Sequence, residues 1–203
     1  CEVTGLSGVV DELFIVFKGA ADSTMGVLEW EFSGKPSEPQ KPYGEQAIVL
    51  PNLIEAEHFD RGGARKVYND AESENQGDAS FRTDEGVDIV LNDNGGMAIG
   101  YTESGEWLEY TVNITKSGEY DILARVASGS TTSGIQLFID EEAITAEFTC
   151  PQTAEDSWDV YEEVSLGKAT LTEGEHVLKL AITGSYVNVD WLKFLDENGE
   201  TSI

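Results

Sequence analysis

At 203 residues the chain has room for one large domain, or for one domain and a fragment of another. Its 39 acidic and 12 basic residues leave a formal charge of −27, which argues against nucleic acid and anionic membrane as partners, because both are bound through basic patches. The same balance suits an extracellular protein that meets neutral polymers and divalent cations, with most of the carboxylates simply solvated.

The chain opens on Cys1, Glu2 and Val3 without a Met or a signal peptide, as expected of a piece of a longer secreted precursor. Residues 13–17 are an unbroken apolar run and residues 26–32 a second strand-like stretch. Pro36, Pro39 and Pro42 then fall in a polar segment that predicts an extended linker. The expected organisation is a fragment over 1–33, a linker over 34–49, a module over 50–196 and a tail over 197–203. No run of about 18 apolar residues occurs, so no membrane insertion is expected.

Beyond the linker, period-2 alternation dominates. After an acidic, polar insertion over 69–85, which holds Asp70, Asp78 and Asp84 and predicts a solvated loop or a second ion site, Leu108, Tyr110, Val112 and Ile114 alternate. So do Tyr120, Ile122, Ala124 and Val126, then Ile135, Leu137 and Ile139, then Leu178, Leu180 and Ile182; Val160, Glu162 and Val164 are a weaker case. Short strands spaced by glycine turns, with no helical period, predict an all-β sandwich. Trp107 and Trp191, in regular strands, are expected in its core. Cys150, far from Cys1, is expected to be a small buried hydrophobe, although a bond between the two is conceivable.

An internal echo links residues 8–32 to residues 174–194. Each has a glycine, a strand, a glycine loop and a strand ending in aromatics. The N-terminal stretch is therefore expected to be the last strands of a preceding copy of the same module. In that alignment Gly26 falls opposite Asn188 and Leu28 opposite Asp190, so the fragment lacks both polar groups.

Two acidic strings bracket the module: Ile54, Glu55, Ala56, Glu57 near its start and Asn188, Val189, Asp190, Trp191 near its end. Strand alternation puts Glu55 and Glu57 on one side. If the two strands pair, Asp190 joins them. Carboxylates brought together repel unless a proton or cation neutralises them, and a hard, oxygen-only site favours calcium. Glu55, Glu57 and Asp190 are the candidate ligands, Glu57 the favoured glutamate.

From about residue 50 to 195 the chain resembles a carbohydrate-binding module of family 6. The collinear strings are residues 54–57, 86–89, Gly100-Tyr101, 105–114, 118–120, 125–128, Trp158 after an acidic loop, and 188–194. The 1–33 stretch resembles the C-terminal end of another such module. The resemblance implies a jelly-roll β-sandwich with a structural calcium ion and a sugar site in the loops at one edge. It implies that Tyr101 and Trp158 grip a sugar ring while Asn188 hydrogen-bonds it. The chemistry agrees: pyranoses present C–H faces to aromatic rings, and their hydroxyls suit an amide that both donates and accepts. A further family contact, a carboxylate, meets Val90 in this chain; Asp88 is the candidate replacement, with Asp93 a second.

Catalysis is not expected. His58 and His176 stand alone, no serine elbow is present, and Asn94-Gly95-Gly96 does not precede a helix. The leading expectation is a monomeric, non-catalytic module that binds oligo- or polysaccharide, chiefly xylan or a related plant β-glycan, and targets an attached glycoside hydrolase. The alternatives are a module for laminarin, mixed-linkage glucan or agar, and a calcium-stapled structural or adhesive sandwich that binds no sugar.

Overall fold

The computed structural model describes residues 39–201. The fragment reading of residues 1–33, together with Cys1, lies outside them. Thirteen strands are present among the described residues. The first six are β1 (Ile48–Leu50), β2 (Leu53–Glu55), β3 (Tyr68–Asn69), β4 (Ile89–Leu91), β5 (Met97–Ile99) and β6 (Trp107–Ile114). They are followed by β7 (Gly118–Ala127), β8 (Gly134–Ile139), β9 (Glu142–Ala143), β10 (Phe148–Thr149), β11 (Tyr161–Leu171), β12 (Gly174–Gly184) and β13 (Asn188–Leu195).

They form the two sheets of a sandwich. One runs β1-β6-β12-β8-β10, with β3 added on β6 and β9 on β8; the other runs β11-β7-β13-β5-β4, with β2 added on β13. The alternating residues supply the space between them: Tyr110, Val112 and Ile114 of β6 face inward with Leu178 and Leu180 of β12, while Ile122 and Ala124 of β7 join Leu192 and Phe194 of β13, all fully buried. Each such aliphatic side chain contributes about 1.5–3 kcal/mol through removal from water. Cys150 is a free thiol at 2% exposure, and burial pushes its pKa up to about 12. It is the inert packing residue its sequence context implies.

Three expectations need correction and one an addition. The linker does not extend to residue 49, because β1 pairs in parallel with β6, Ile48 opposite Val112. Upstream of it Gln40 Nε2 donates to Asp60 Oδ2 at 2.9 Å, and Lys41 and Arg61 exchange backbone hydrogen bonds. The acidic insertion is exposed over most of its length, as expected of a solvated loop, and is pinned at one point: Arg82, 8% exposed, donates to the carbonyls of Phe59 and Asp60, pairs with Glu85 and lies 3.4 Å over the Phe59 ring. Trp107 and Trp191 are only half-buried, each with a lysine over its ring, Lys179 and Lys193. Finally, the strand ends at Glu55, and Glu57 sits on a 3-10 turn, Ala56–His58.

β11 is longer than its weak alternation implies. Its register with β7 shifts between Ser165 and Gly167, where Gly167 has φ 99°, so the buried positions move from Leu166 to Ala169 and Leu171. A bulge of this kind switches the inward phase mid-strand and erases a period-2 signal read through it.

Candidate functional site

A groove of about 360 Å³ opens at one edge of the β4-β5-β13 sheet. Its size falls in the range of small-ligand sites. Three aromatic side chains line it: Tyr101, Trp158 and Tyr186. Tyr101 follows β5 and Tyr186 precedes β13, and they are 59% and 52% exposed. Both have left-handed backbones, φ 51° and 71°, a conformation that costs a non-glycine residue about 1–3 kcal/mol and persists only where its surroundings enforce it.

Here the enforcement is visible. Thr102 Oγ1 donates to the Val187 carbonyl at 2.8 Å and accepts the Val187 amide at 3.0 Å, while the Tyr186 amide donates to the Thr102 carbonyl at 2.8 Å. The two loops are zipped together, and their tyrosines stand clear of the core.

Trp158 comes from the acidic loop before β11. Its indole Nε1 donates to the Tyr186 carbonyl at 2.7 Å, which locks the ring against the zipped loops. Gly129 allows this approach, since a Cβ there would stand 2.7 Å from the Ser157 amide nitrogen and 3.0 Å from Trp158 Cη2. Asn188, 8% exposed, begins β13 and anchors the floor: its Nδ2 donates to the Trp158 carbonyl at 3.3 Å and to Tyr161 Oη at 3.4 Å. Opposite the rings the wall is apolar, made by Val90 and the 54% exposed Leu91 of β4. Asp78 and Asp159 complete the lining.

Tyr101, Trp158 and Asn188 are thus brought into one groove. Asp88 is not. It is 4% exposed, its carboxylate accepts the Gln76 amide, and it does not line the groove, although Val90 two residues on does. Asp93 is also engaged elsewhere, in a pair of bonds from Arg125 Nη2 at 2.7 and 2.9 Å. Tyr186, Leu91, Asp78 and Asp159 were missed. Tyr186 had a signal, an aromatic in the glycine loop that leads into Asn188.

The candidate metal ligands lie near enough to feel one another's charge. β2 pairs antiparallel with β13, Glu55 opposite Trp191, and the register of β13 on β7 shifts between Val189 and Trp191, so Asp190 occupies a bulge. Burial raises the pKa of Glu55, helped by the Asp190 charge, and burial pushes that of Glu57 up to about 7, helped by Glu55 and Asp190. Glu57 is 4% exposed and its Oε2 is buried without a hydrogen-bond partner. An orphaned carboxylate oxygen beside two further carboxylates fits a hard cation. Asp190, however, is already engaged by Arg125 and by Asn92 Nδ2 at 3.0 Å. Among the described residues no three His, Cys, Asp or Glu side chains form a ready-made metal cage.

Comparison with known proteins places this architecture. The family model described as carbohydrate binding module (family 6) matches residues 78–196. The β-agarase AgaO of Microbulbifer thermotolerans is 23% identical over 155 residues, which are 76% of this chain and 12% of the agarase. Among solved structures, the C-terminal family-6 module of LamC, a marine laminarinase from Zobellia galactanivorans, has a TM-score of 0.55 at 23% identity, over 70% of this chain and 97% of that one. A β-1,3-glucan-binding family-6 module from Bacillus halodurans gives 0.53 at 22% identity, over 73% and 98%. Both structural likenesses speak to the fold. The family match spans more than half of the sequence, from the Asp78 rim to the end of β13, and the chain belongs to carbohydrate-binding module family 6, a family of non-catalytic binding modules.

Proposed function

We propose that this module binds a β-linked cell-wall polysaccharide in the aromatic groove and so holds an attached glycoside hydrolase on its substrate outside the cell. The observation that carries the proposal is the groove itself: three aromatic side chains, two of them on enforced left-handed backbones, around the amide of Asn188. Tyr101 and Trp158 would cover the two C–H faces of a sugar ring, Tyr186 would extend the platform to a neighbouring unit, and Asn188 would hydrogen-bond a hydroxyl. Tethering acts through effective concentration, so a monomeric module of modest affinity suffices.

The glycan is proposed by class. Xylan was the first expectation from sequence, with laminarin, mixed-linkage glucan and agar as alternatives; the relatives favour the alternatives, since one is a laminarinase module, one binds β-1,3-glucan and one is a β-agarase. Calorimetric titration with xylo-, cello-, laminari- and agaro-oligosaccharides tests the reading. At least one series is expected to bind, and Trp158→Ala and Tyr101→Ala should each weaken it at least about tenfold, or 1.4 kcal/mol. Unchanged binding in both variants would overturn the assignment.

The proposal extends to a structural calcium ion. Glu57 and Glu55 would hold it with Asp190 beside them, and the ion would neutralise carboxylates that burial otherwise penalises.

A further inference from the structure

Val90 brings no charge to the groove wall, and a different segment supplies a carboxylate there. Asp78 lines the groove beside Val90 and Leu91, although it lies twelve residues upstream, in the acidic insertion. The route by which it arrives is built into the backbone. Gly77 lies flat against β4, where a Cβ would overlap the Ile89 carbonyl. Its amide donates to Asn75 Oδ1 at 2.8 Å, and the next amide but one, that of Ala79, donates to the Ile89 carbonyl at 3.1 Å. Between these two fixed points Asp78 Oδ1 accepts the Leu91 amide at 2.9 Å. One carboxylate oxygen is spent on orienting the side chain at the free edge of β4. The other makes no hydrogen bond among the described residues, and a carboxylate so placed is a strong acceptor for a hydroxyl.

The charge around it selects further. The second acid of the lining, Asp159, is exposed, and among the described residues no lysine or arginine lines the groove. A sulfated or uronic acid unit would meet two carboxylates and no counter-charge, in a site already walled by Val90 and Leu91; like charges so placed are a device for rejecting wrong partners.

We infer that Asp78 reads a sugar hydroxyl in this groove and, with Asp159, restricts the ligand to uncharged glycan units. This rests on the groove being the sugar site, and the test separates the two ideas. Wild type, Asp78→Asn and Trp158→Ala are titrated calorimetrically with a neutral oligosaccharide that the wild type binds and with a sulfated or uronic counterpart of the same linkage. The Asp78→Asn side chain would keep the acceptor for the Leu91 amide, so the loop stays placed, which thermal melting checks. Wild type is expected to bind the neutral chain at least about tenfold more tightly than the charged one. Asp78→Asn should weaken neutral binding about tenfold, the scale of a hydrogen bond to a charged group, and narrow the neutral-to-charged ratio; Trp158→Ala should weaken both ligands. If Asp78→Asn binds both ligands as the wild type does while Trp158→Ala fails, the role of Asp78 is overturned and the groove stands. If Trp158→Ala is also without effect, or the wild type binds no glycan, both ideas fall.

Discussion

Replacing Asp70 with asparagine should stabilise the protein at neutral pH and leave it unchanged in acid. Asp70 opens the segment that leads to the groove rim, and its Oδ1 accepts the Glu72 amide at 2.9 Å. Burial first, then the carboxylates of Glu106, Asp88 and Glu72, push its pKa from the ordinary 3.8 up to about 7. Glu106 cannot swing away, because its two oxygens accept the Ala71 and Glu103 amides, both at 3.0 Å. Folding therefore favours the protonated acid. The unfolded chain ionises near the ordinary value, so this group's contribution is fully present below about pH 4 and is lost as the pH rises to about 7. Three units at 1.36 kcal/mol each would cost about 4 kcal/mol, but Asp70 is partly exposed and solvent screening reduces the figure to about 1–2 kcal/mol. Asparagine keeps the acceptor and removes the charge. In thermal melts the variant should gain about 3–6 °C over wild type at pH 7.5, in EDTA so that no cation neutralises the cluster, and the gain should vanish at pH 4. No gain at pH 7.5, or the same gain at both pH values, would refute the electrostatic argument.

Two further outcomes follow from the site. Wild type should melt at a lower temperature in EDTA and recover with added calcium, by about 2.7 kcal/mol at a hundredfold excess over the dissociation constant; Glu57→Gln should lose that response, and an equal calcium rise in both proteins would remove Glu57 from the ligand set. Gly100→Ala should fill the groove floor, since its Cβ would stand 2.9 Å from Val90 Cγ1 and 3.0 Å from Asn188 Oδ1. Calorimetry should then find glycan affinity reduced at least about tenfold (1.4 kcal/mol) while the protein still melts cooperatively, and unchanged affinity would contradict the floor.

The long strands were legible because each has one face inside the sandwich. Tyr110, Val112 and Ile114, or Leu178, Leu180 and Ile182, state that face in every second residue. Strands of two or three residues, β1 to β5, are too short to show a period, and β1 was hidden behind a run of prolines that composition alone marks as linker. The pairing of β2 with β13 was legible for another reason: two acidic strings had to be brought together or explained apart. The position of Asp78 was not legible at all. It depends on a backbone-to-backbone approach at Gly77, and nothing in the residue types of a polar loop says which strand edge that glycine will meet.

Residues of the groove and of the carboxylate cluster share a property that hides them from periodicity. Tyr101 and Tyr186 sit at positive φ, Asp190 in a bulge and Glu57 on a 3-10 turn. A side chain on a regular strand can point only to the core or to the outer face of its sheet. A groove that opens past the strand ends, and a cluster of carboxylates beside it, need directions that alternation does not supply. Each departure costs backbone energy, about 1–3 kcal/mol for a left-handed non-glycine residue, and persists only because neighbours hold it: Thr102 against Val187, Trp158 against the Tyr186 carbonyl, Arg125 against Asp190. The strings Gly100-Tyr101 and Asn188-Val189-Asp190 are therefore informative as the places where the strand pattern breaks. At each of these breaks the neighbours, and not the strand, set where the side chain is aimed.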